Sequence, residues 1–579
     1  MNYTRTALFD TTLFILLVQA ISQVVPSVPE FTLSGFGSEH IRQALCVHIA
    51  CLSEAAWPVN ESILASWKAI IGTTLERPEE PLQKLASETF RALVAQYGIS
   101  GTEFEDSLAR LANGADKFTQ SGFASALGEI DYRPAHYAAW VAKAVTALAA
   151  TADHRLAVGV KYVACAESRR NSVKSVTNII KVIDEEYRQA VPVDLSNRIL
   201  QMYHTGLQDY SIDHRGDVGS WIREACMQGL EVMIPLVARL DHKAQQDQPS
   251  QRYLTDQDHT QTFAKLLQQS VEKIDRIRGC AATTMIALLY AKVDQHPALH
   301  TSAMETDLEA VEFLVHVPYR PKLMQVIENS VELNWLQPAE VYPRVVQFLN
   351  LPHYRSELLL GFIVSAGGLT ESLVRHASAC LTEFVSNLPI TRADIDMDAA
   401  QDRLSNPTLT LVEFGHEIMS IVEKYEGQDR VIVPLLEVLD MLFESGSMLM
   451  MEGEYDFAPM VRFVRRQTLK CKDMRKMSAS IRTLCGLCSL GGKIKNAILL
   501  ELLRLLLHPF PKIRRTTADS MYLMLNATAD EPTPDSEKVG QILVNSDWNQ
   551  SVAQLAPLRD QLYPLLGLEK PKAVPARAK

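Results

Sequence analysis

Apolar residues recur at helical spacing along almost the whole chain, and no segment alternates apolar and polar residues as a half-buried strand would. The pattern is clearest in segments 39–52, 81–97, 217–240, 273–290, 369–388, 431–443 and 497–507. A chain of 579 residues is also too long for a single hydrophobic core. The sequence therefore predicts several helical domains or one long array of helices.

A short pattern recurs near the start of several of these helices: an aliphatic residue, then Arg, then Ala two to four residues later. Its copies are Ile41-Arg42 with Ala44, Ile222-Arg223 with Ala225, Ile277-Arg278 with Ala281, Val374-Arg375 with Ala377, and Ile513-Arg514 with Ala518. The arginine spacings are close to whole multiples of a repeat of about 40–47 residues, the period of HEAT and armadillo units. We expect the aliphatic residue to pack inward and the Arg to reach an acidic group of the adjacent repeat.

The predicted fold is therefore all-α, a helical-repeat solenoid (superhelix) of the HEAT or armadillo type; a generic helical bundle is the alternative. Pro-containing and polar connectors suggest the domain boundaries. We predict a divergent N-terminal segment at 1–36, helical repeats at 37–240, a linker at 241–260, helical repeats at 261–388, a loop at 389–408, C-terminal helical repeats at 409–568, and a disordered tail at 569–579.

Net charge and cysteine usage limit the possible partners and the compartment of this chain. The formal net charge is -11, which argues against general nucleic-acid binding because phosphate neutralisation needs a basic surface. Nine cysteines lie scattered in apolar helical stretches, and their odd number cannot pair fully. Both features predict a cytoplasmic protein that binds neither nucleic acid nor membrane.

The N-terminus leaves a second interpretation open, a secreted helical protein. An apolar run at 13–18 follows Arg5, and Ala20, Ile21 and Ser22 resemble a cleavage site. Asp10 and the absence of a disulfide framework count against it. A mature N-terminus at Gln23 would favour this interpretation.

Catalytic motifs are incomplete wherever they begin. Gly492-Lys493 lacks the preceding Gly and the following Ser or Thr of a P-loop, and His416-Glu417 lacks the second His of a zinc protease helix. Cys485 and Cys488 form a lone CxxC inside an apolar helix, which indicates core packing better than a metal site. We therefore expect no catalytic, metal or cofactor residues and no enzyme activity.

Several segments resemble the tubulin-folding cofactor D family. The most specific is the signature segment, defined as Asp209–Ala225 and reading DYSIDHRGDVGSWIREA. Further similarities, in the order of the family, are AESRR at 166–170, EKIDR at 272–276, LPHYR at 351–355, GGLTES at 367–372, FPKIRRTTA at 510–518 and LLGL at 565–568. The resemblance covers most of the chain from about Gly37 onward and points to the C-terminal half of the family protein.

The resemblance implies a tubulin-binding folding cofactor of the cytoplasm and microtubule cytoskeleton that acts after the chaperonin. It implies capture of β-tubulin, assembly or disassembly of the α/β-tubulin dimer with cofactors C and E, an Arf-like small GTPase as a further partner, and accessory stimulation of tubulin GTP hydrolysis. The alternative without the resemblance is a generic helical-repeat scaffold or transport adaptor.

Two sets of residues are candidates for partner contact. Asp217, Trp221 and Arg223 combine a helix cap, a large aromatic and a cation within about one helical turn, which suits either partner binding or the locking of neighbouring repeats. The second set, the basic patch, comprises Arg462, Arg465, Arg466, Lys470, Lys472 and Arg475. It predicts either a solvated helix face or attraction to acidic tubulin surfaces.

Overall fold

The structure is a computed structural model that describes residues 20, 33, 37–111, 116–155, 164–247, 252–292, 313–328, 333–367, 371–395, 407–528 and 534–571. Within these residues there are 25 α-helices and a single two-stranded hairpin. The helices of the first half are α1 Ser38–Glu54, α2 Glu61–Leu75, α3 Glu80–Tyr97, α4 Gly101–Ala109, α5 Lys117–Leu127, α6 Ala135–Ala138, α7 Val141–Ala152, α8 Ala166–Ile183, α9 Tyr187–Ala190, α10 Val193–Gly206, α11 Gly219–Asp247, α12 Asp256–Ser270 and α13 Asp275–Leu289.

The remaining helices continue without a described strand between them. They are α14 Arg320–Glu328, α15 Pro338–Val345, α16 Arg355–Ala366, α17 Glu371–Ser386, α18 Leu411–Lys424, α19 Asp429–Glu444, α20 Ala458–Thr468, α21 Met474–Leu487, α22 Gly492–Leu505, α23 Pro511–Thr528, α24 Pro534–Asn545 and α25 Val552–Leu565. Short 3-10 turns lie at Asp184–Glu186, Val346–Asn350, Arg392–Asp394 and Ser447–Met451.

Local sequence sets where many of these helices begin. Ser100 and Glu103 form a capping box at α4, and Thr410 and Glu413 form another at α18, so that side chains satisfy backbone N–H groups that the first helical turn leaves free. Asp473 accepts the backbone N–H of Lys476 at the start of α21. The apolar face of each helix is then buried against its neighbours.

The described residues divide into two compact units, one formed by 1–262 with 280–317 and the other by 263–279 with 318–579. In the first unit α1 packs on α3, α3 on α5, α5 on α8, and α8 on α11. Beside that row, α2 packs on α3, α7 packs on α8, and α10 packs on α11. Helix α7 also packs on α10. Two layers of helices, with each repeat contributing to both, are the packing of a solenoid.

The second unit repeats this arrangement. Helix α16 packs on α19, α19 on α21, and α21 on α23, while α20 packs on α22 in the other layer. Helix pairs α16 with α17, α20 with α21, and α22 with α23 connect the layers. The prediction of an all-α helical-repeat solenoid is confirmed.

Several sequence predictions fall partly or wholly outside the described residues: the apolar run at 13–18, most of the segment 1–36, the middle of the loop at 389–408 and most of the tail from 569. Inside the predicted linker 241–260, α11 continues to Asp247 and α12 begins at Asp256. The predicted domain boundaries stay predictions. Among the described helices, none has the length and apolar character needed to cross a membrane.

Candidate functional site

The signature segment folds as a small hairpin seated on the start of α11. Strand β1 (Ile212–Asp213) pairs antiparallel with β2 (Gly216–Asp217), and Gly216 has φ +102°, a backbone conformation that favours glycine. The backbone N–H of Gly219 donates to the Ser211 carbonyl at 3.0 Å. A Cβ on Gly219 would lie 2.2 Å from the Asp209 carbonyl oxygen, so only glycine permits this approach of the hairpin to the helix.

Beneath the hairpin lies a buried set of charges that connects two neighbouring repeats. The Asp209 side chain is fully buried, and its carboxylate accepts from Arg169 Nε of α8 at 3.0 Å and from the Ser211 backbone N–H at 3.0 Å. Arg223 of α11, also fully buried, donates to the Asp209 backbone carbonyl at 2.7 Å. Because buried charges are costly unless paired and hydrogen-bonded, this network fixes the hairpin between α8 and α11.

Asp217 and Arg223 also contact each other within the network beneath the hairpin. Asp217 Oδ1 accepts the Ser220 backbone N–H at 3.1 Å, which caps the start of α11 as predicted. Its two carboxylate oxygens also accept from Arg223 at 3.2 and 3.1 Å. The guanidinium of Arg223 lies 4.2 Å from the Tyr210 ring centroid. These contacts join residues of the signature segment to one another, and the choice between partner binding and the locking of repeats stays a prediction.

Trp221 is half-buried, as Asp217 is, whereas Arg223 is fully buried. Its ring lies 4.9 Å from the Arg215 guanidinium and 5.8 Å from that of Arg170, so the aromatic face is held between two cations. Arg215 is itself fixed by ion pairs to Asp213 and Glu167. Trp221 is therefore held by cation–π contacts while part of its side chain stays accessible.

The hairpin, Asp209, Arg169 and the exposed Ile212 were not predicted from the sequence. The strands have two residues each, which is too short for an alternating pattern to register. Ile212 is 72% exposed at the hairpin, an unusual position for a large aliphatic side chain. The clustering of Asp209, Asp213 and Asp217 with Gly216 was the available sequence signal for a turn.

The recurrent arginines are buried in four of the five copies, but their acceptors differ from the prediction. Arg514 donates to the backbone carbonyls of Trp548 and Gln550 in the next inter-helix connection, at 2.8 and 2.9 Å. Arg278 donates to the Glu272 carbonyl and to Asp275 of its own helix, and it reaches the Leu336 carbonyl. The expected acidic group of the adjacent repeat is thus replaced by main-chain oxygens.

The copies at Arg42 and Arg375 also differ from the prediction. Arg42 donates to the hydroxyls of Thr73 and Thr74 of α2, at 3.0 and 2.9 Å, and its aliphatic neighbour Ile41 is 37% exposed where inward packing was expected. Arg375 is exposed. The fourth copy of the pattern therefore does not act as a repeat lock.

The basic patch lies along α20 and the turn into α21, and half of it is neutralised within the fold. Arg465 pairs with Glu501 at 3.5 Å, Arg466 with Glu426 at 3.2 Å, and Arg475 with Glu437 at 2.7 Å. The other three members, Arg462, Lys470 and Lys472, are exposed and form no ion pair with a described residue. These three side chains can interact with a partner without breaking an ion pair to a described residue.

Cys485 and Cys488 are both buried in the helical core of the second unit. Burial raises the pKa of the Cys488 thiol to about 11 and raises that of Cys485 as well. Both thiols therefore remain protonated at neutral pH, as is usual for cysteines packed in a core.

The amino-acid sequence of this chain is similar to proteins of known family. Residues 260–476 match the family model described as the C-terminal domain of tubulin folding cofactor D. The resemblance of this chain to the tubulin-folding cofactor D family is confirmed. A tubulin-specific chaperone D of Dictyostelium discoideum is 22% identical over 537 residues, covering 83% of this chain and 33% of the relative.

A tubulin-folding cofactor D of Schizosaccharomyces pombe is 22% identical over 374 residues, covering 64% of this chain and 29% of the relative. The chain thus spans about a third of the length of these curated relatives. Among solved structures, the chain is similar to importin beta, with 12% identity and a TM-score of 0.31 over 96% of this chain and 74% of that one. It is also similar to UNC-45 from Drosophila melanogaster, with 14% identity and a TM-score of 0.25 over 96% of this chain and 76% of that one. At such scores the assignment of the fold rests on the helix packing described above.

Proposed function

We propose that this chain is a tubulin-binding folding cofactor that acts after the chaperonin, captures β-tubulin and helps to assemble or disassemble the α/β-tubulin dimer. The observation that carries the proposal is the match of residues 260–476 to the C-terminal domain of tubulin folding cofactor D. The solenoid supports it physically, because stacked helix pairs offer an extended surface able to hold another folded protein.

The finer parts of the proposal concern the partners. Cofactors C and E and an Arf-like small GTPase are the proposed companions, with the cytoplasm and microtubule cytoskeleton as the location. Stimulation of GTP hydrolysis would be accessory, since the nucleotide belongs to tubulin and this chain would act by positioning groups of tubulin's own site.

Within the first unit, we place the partner contact at the face formed by Trp221, Arg215 and Ile212. Aromatic and arginine side chains contribute most of the energy in protein interfaces when they are held in place before binding. Here the buried Asp209 network holds the hairpin, and the two cations hold the Trp221 ring. The side chains of this face are thus held by other residues, while Arg215 and Ile212 are exposed and Trp221 is half-buried.

A tubulin-binding measurement with Trp221→Ala tests the proposal. We expect the wild-type chain to co-elute with purified α/β-tubulin, and the variant to bind roughly tenfold or more weakly, since removal of an interface aromatic typically costs 2 kcal/mol or more. The free energy of unfolding should fall by clearly less than the ~3 kcal/mol that removal of a core aromatic costs, because Trp221 is half-buried.

Trp57→Ala is the matched control, because Trp57 is a half-buried tryptophan of the same unit that lies away from the signature segment. It should leave tubulin binding unchanged. If the wild-type chain does not bind tubulin under conditions in which it is folded, the proposed function is wrong for this chain alone. If Trp57→Ala and Trp221→Ala weaken binding equally, the location of the contact is wrong.

A further inference from the structure

An open groove runs between α18 and α20 in the second unit. Its volume is about 460 Å³, within the range of ligand pockets. Met419 and Val422 line it from α18, and Pro459 lines it from the first turn of α20. Leu469, which follows α20, also lines the groove and is 59% exposed. The floor of this α18–α20 groove is therefore apolar and partly uncovered.

Charge is distributed unevenly across the groove. Glu423 and Glu426 lie on the α18 side, whereas Arg462, Arg465 and Arg466 lie on the α20 side. Arg466 and Glu426 pair with each other, and Arg465 is held by Glu501. The α20 side keeps Arg462 without an ion pair to any described residue.

Two further exposed cations lie in the turn that follows α20. Lys470 directly follows Leu469 and adopts φ +56°, a left-handed conformation that is uncommon for a residue other than glycine. Lys470 and Lys472 are both exposed and form no ion pair with a described residue. Arg462 thus lines the groove together with the exposed Leu469, and Lys470 and Lys472 follow Leu469 in the chain.

We propose that the α18–α20 groove binds an acidic segment of a partner protein that carries an apolar side chain. The apolar side chain enters the groove over Met419, Val422 and Leu469, which removes the exposed aliphatic surface from water. The acidic residues lie along the α20 side and pair with Arg462, Lys470 and Lys472. Since these cations form no ion pair with a described residue, pairing with the segment breaks no ion pair in the part of the chain that the structure describes.

A protein segment fits this groove better than a nucleic acid does. A phosphate backbone carries a charge at every nucleotide, so some phosphates would lie against Glu423 and Glu426 on the α18 side, whereas a peptide segment can place uncharged residues there. The inference goes beyond the proposed function, because it specifies the chemistry of the bound segment without requiring that tubulin supply it.

Fluorescence anisotropy with the full chain tests the proposal. The probe is a short labelled peptide rich in Glu that contains one Phe, compared with the same peptide carrying Ser in place of Phe. In the variant with Arg462→Glu, Lys470→Glu and Lys472→Glu, we expect roughly tenfold or more weaker binding of the Phe peptide, because three favourable charge pairs become unfavourable. Leu469→Ser should weaken the Phe peptide but not the Ser peptide.

The matched control reverses Lys493, Lys495 and Lys512, three exposed lysines of the same unit that do not line the groove. It should leave affinity unchanged. Equal losses in both triple variants would show diffuse electrostatic attraction and overturn the proposal. So would equal binding of the Phe and Ser peptides, absence of peptide binding at low salt, or tighter binding of a single-stranded oligonucleotide than of the Phe peptide.

The tubulin experiment separates this proposal from the proposed function. Peptide binding at the groove by a chain that fails to bind tubulin leaves the groove assignment standing and removes the tubulin role. If the chain binds tubulin but does not bind the acidic peptide, the tubulin role stands and the groove assignment is wrong.

Discussion

At the scale of single residues, buried charge specifies how neighbouring repeats are arranged. Arg223, Arg278 and Arg514 are almost fully buried, and each satisfies its guanidinium with main-chain oxygens close to the start of its helix. A guanidinium presents several N–H donors in a rigid fork, so its position fixes the connections that supply the acceptors. Arg278 also donates to the Leu336 carbonyl and Arg514 to the Trp548 and Gln550 carbonyls, so these two arginines join their helices to later inter-helix connections as well.

The first prediction concerns the carboxylate under the hairpin. Asp209→Asn keeps an oxygen for the Ser211 N–H but removes the charge that faces the buried Arg169. Leaving one partner of a buried ion pair uncompensated should reduce the free energy of unfolding by about 3–5 kcal/mol. Urea unfolding followed by circular dichroism measures it. Asp213→Asn, at the exposed hairpin, is the control and should have a much smaller effect; equal effects would contradict the argument.

A second prediction uses the buried carboxylate of α22. Burial by itself would raise the pKa of Glu501, but the hydrogen bond and charge of Arg504, the Thr468 hydroxyl and the charge of Arg465 together lower it. A carboxyl whose folded-state pKa is lowered stabilises the fold above its unfolded pKa of about 4.3, and this contribution is lost as pH falls through the folded value. Glu501→Gln should therefore lower the urea midpoint at pH 7.

The difference between the Glu501→Gln variant and the wild type should shrink as the pH falls below about 4. Glu423→Gln serves as control, because Glu423 is exposed and forms no ion pair with a described residue. Its urea midpoint should follow the wild type at every pH. A Glu501→Gln difference that stayed constant down to pH 3 would show that the charge of Glu501 does not stabilise the fold.

At the scale of elements, helical periodicity predicted the solenoid because every helix buries one face, and burial is what periodicity records. It could not predict the hairpin, since four strand residues held by side-chain charges leave no periodic trace. The same limit applies to the candidate site. Trp221 was recognisable from the sequence, but the partition of the basic patch into paired and unpaired cations depends on Glu426, Glu437 and Glu501, which are distant in sequence.

The third prediction tests the seating of the hairpin on α11. Gly219→Ala places a methyl group against the Asp209 carbonyl at 2.2 Å, too close for any side chain, so the hairpin must move. Hydrogen exchange should accelerate at the amides of 211–219 and stay unchanged in α16 to α23. Gly72→Ala is the control, because a Cβ there meets nothing within 4 Å and alanine favours the interior of α2. Unchanged exchange in Gly219→Ala would contradict the assigned packing.

At the scale of the whole molecule, net charge and local charge oppose each other. The chain carries a formal charge of -11, so an acidic partner is repelled at long range. The basic patch reverses that sign locally, but Arg465 and Arg466 are already paired within the fold. Within the basic patch, attraction of an acidic partner therefore depends on Arg462, Lys470 and Lys472.

The fourth prediction follows for the proposed encounter with tubulin. If an acidic surface of tubulin approaches these three cations, the association rate of the wild-type chain should fall with added salt, because salt screens exposed charges over a Debye length of about 10 Å at 0.1 M. Reversing all three to Glu should slow association at low salt and flatten or invert the salt dependence, while the dissociation rate changes less, since exposed charges act mainly on encounter. Stopped-flow mixing with labelled tubulin measures both rates. The Lys493, Lys495 and Lys512 reversal alters the net charge equally, so identical salt curves for the two triple variants would mean that overall charge, and not this position, governs the encounter.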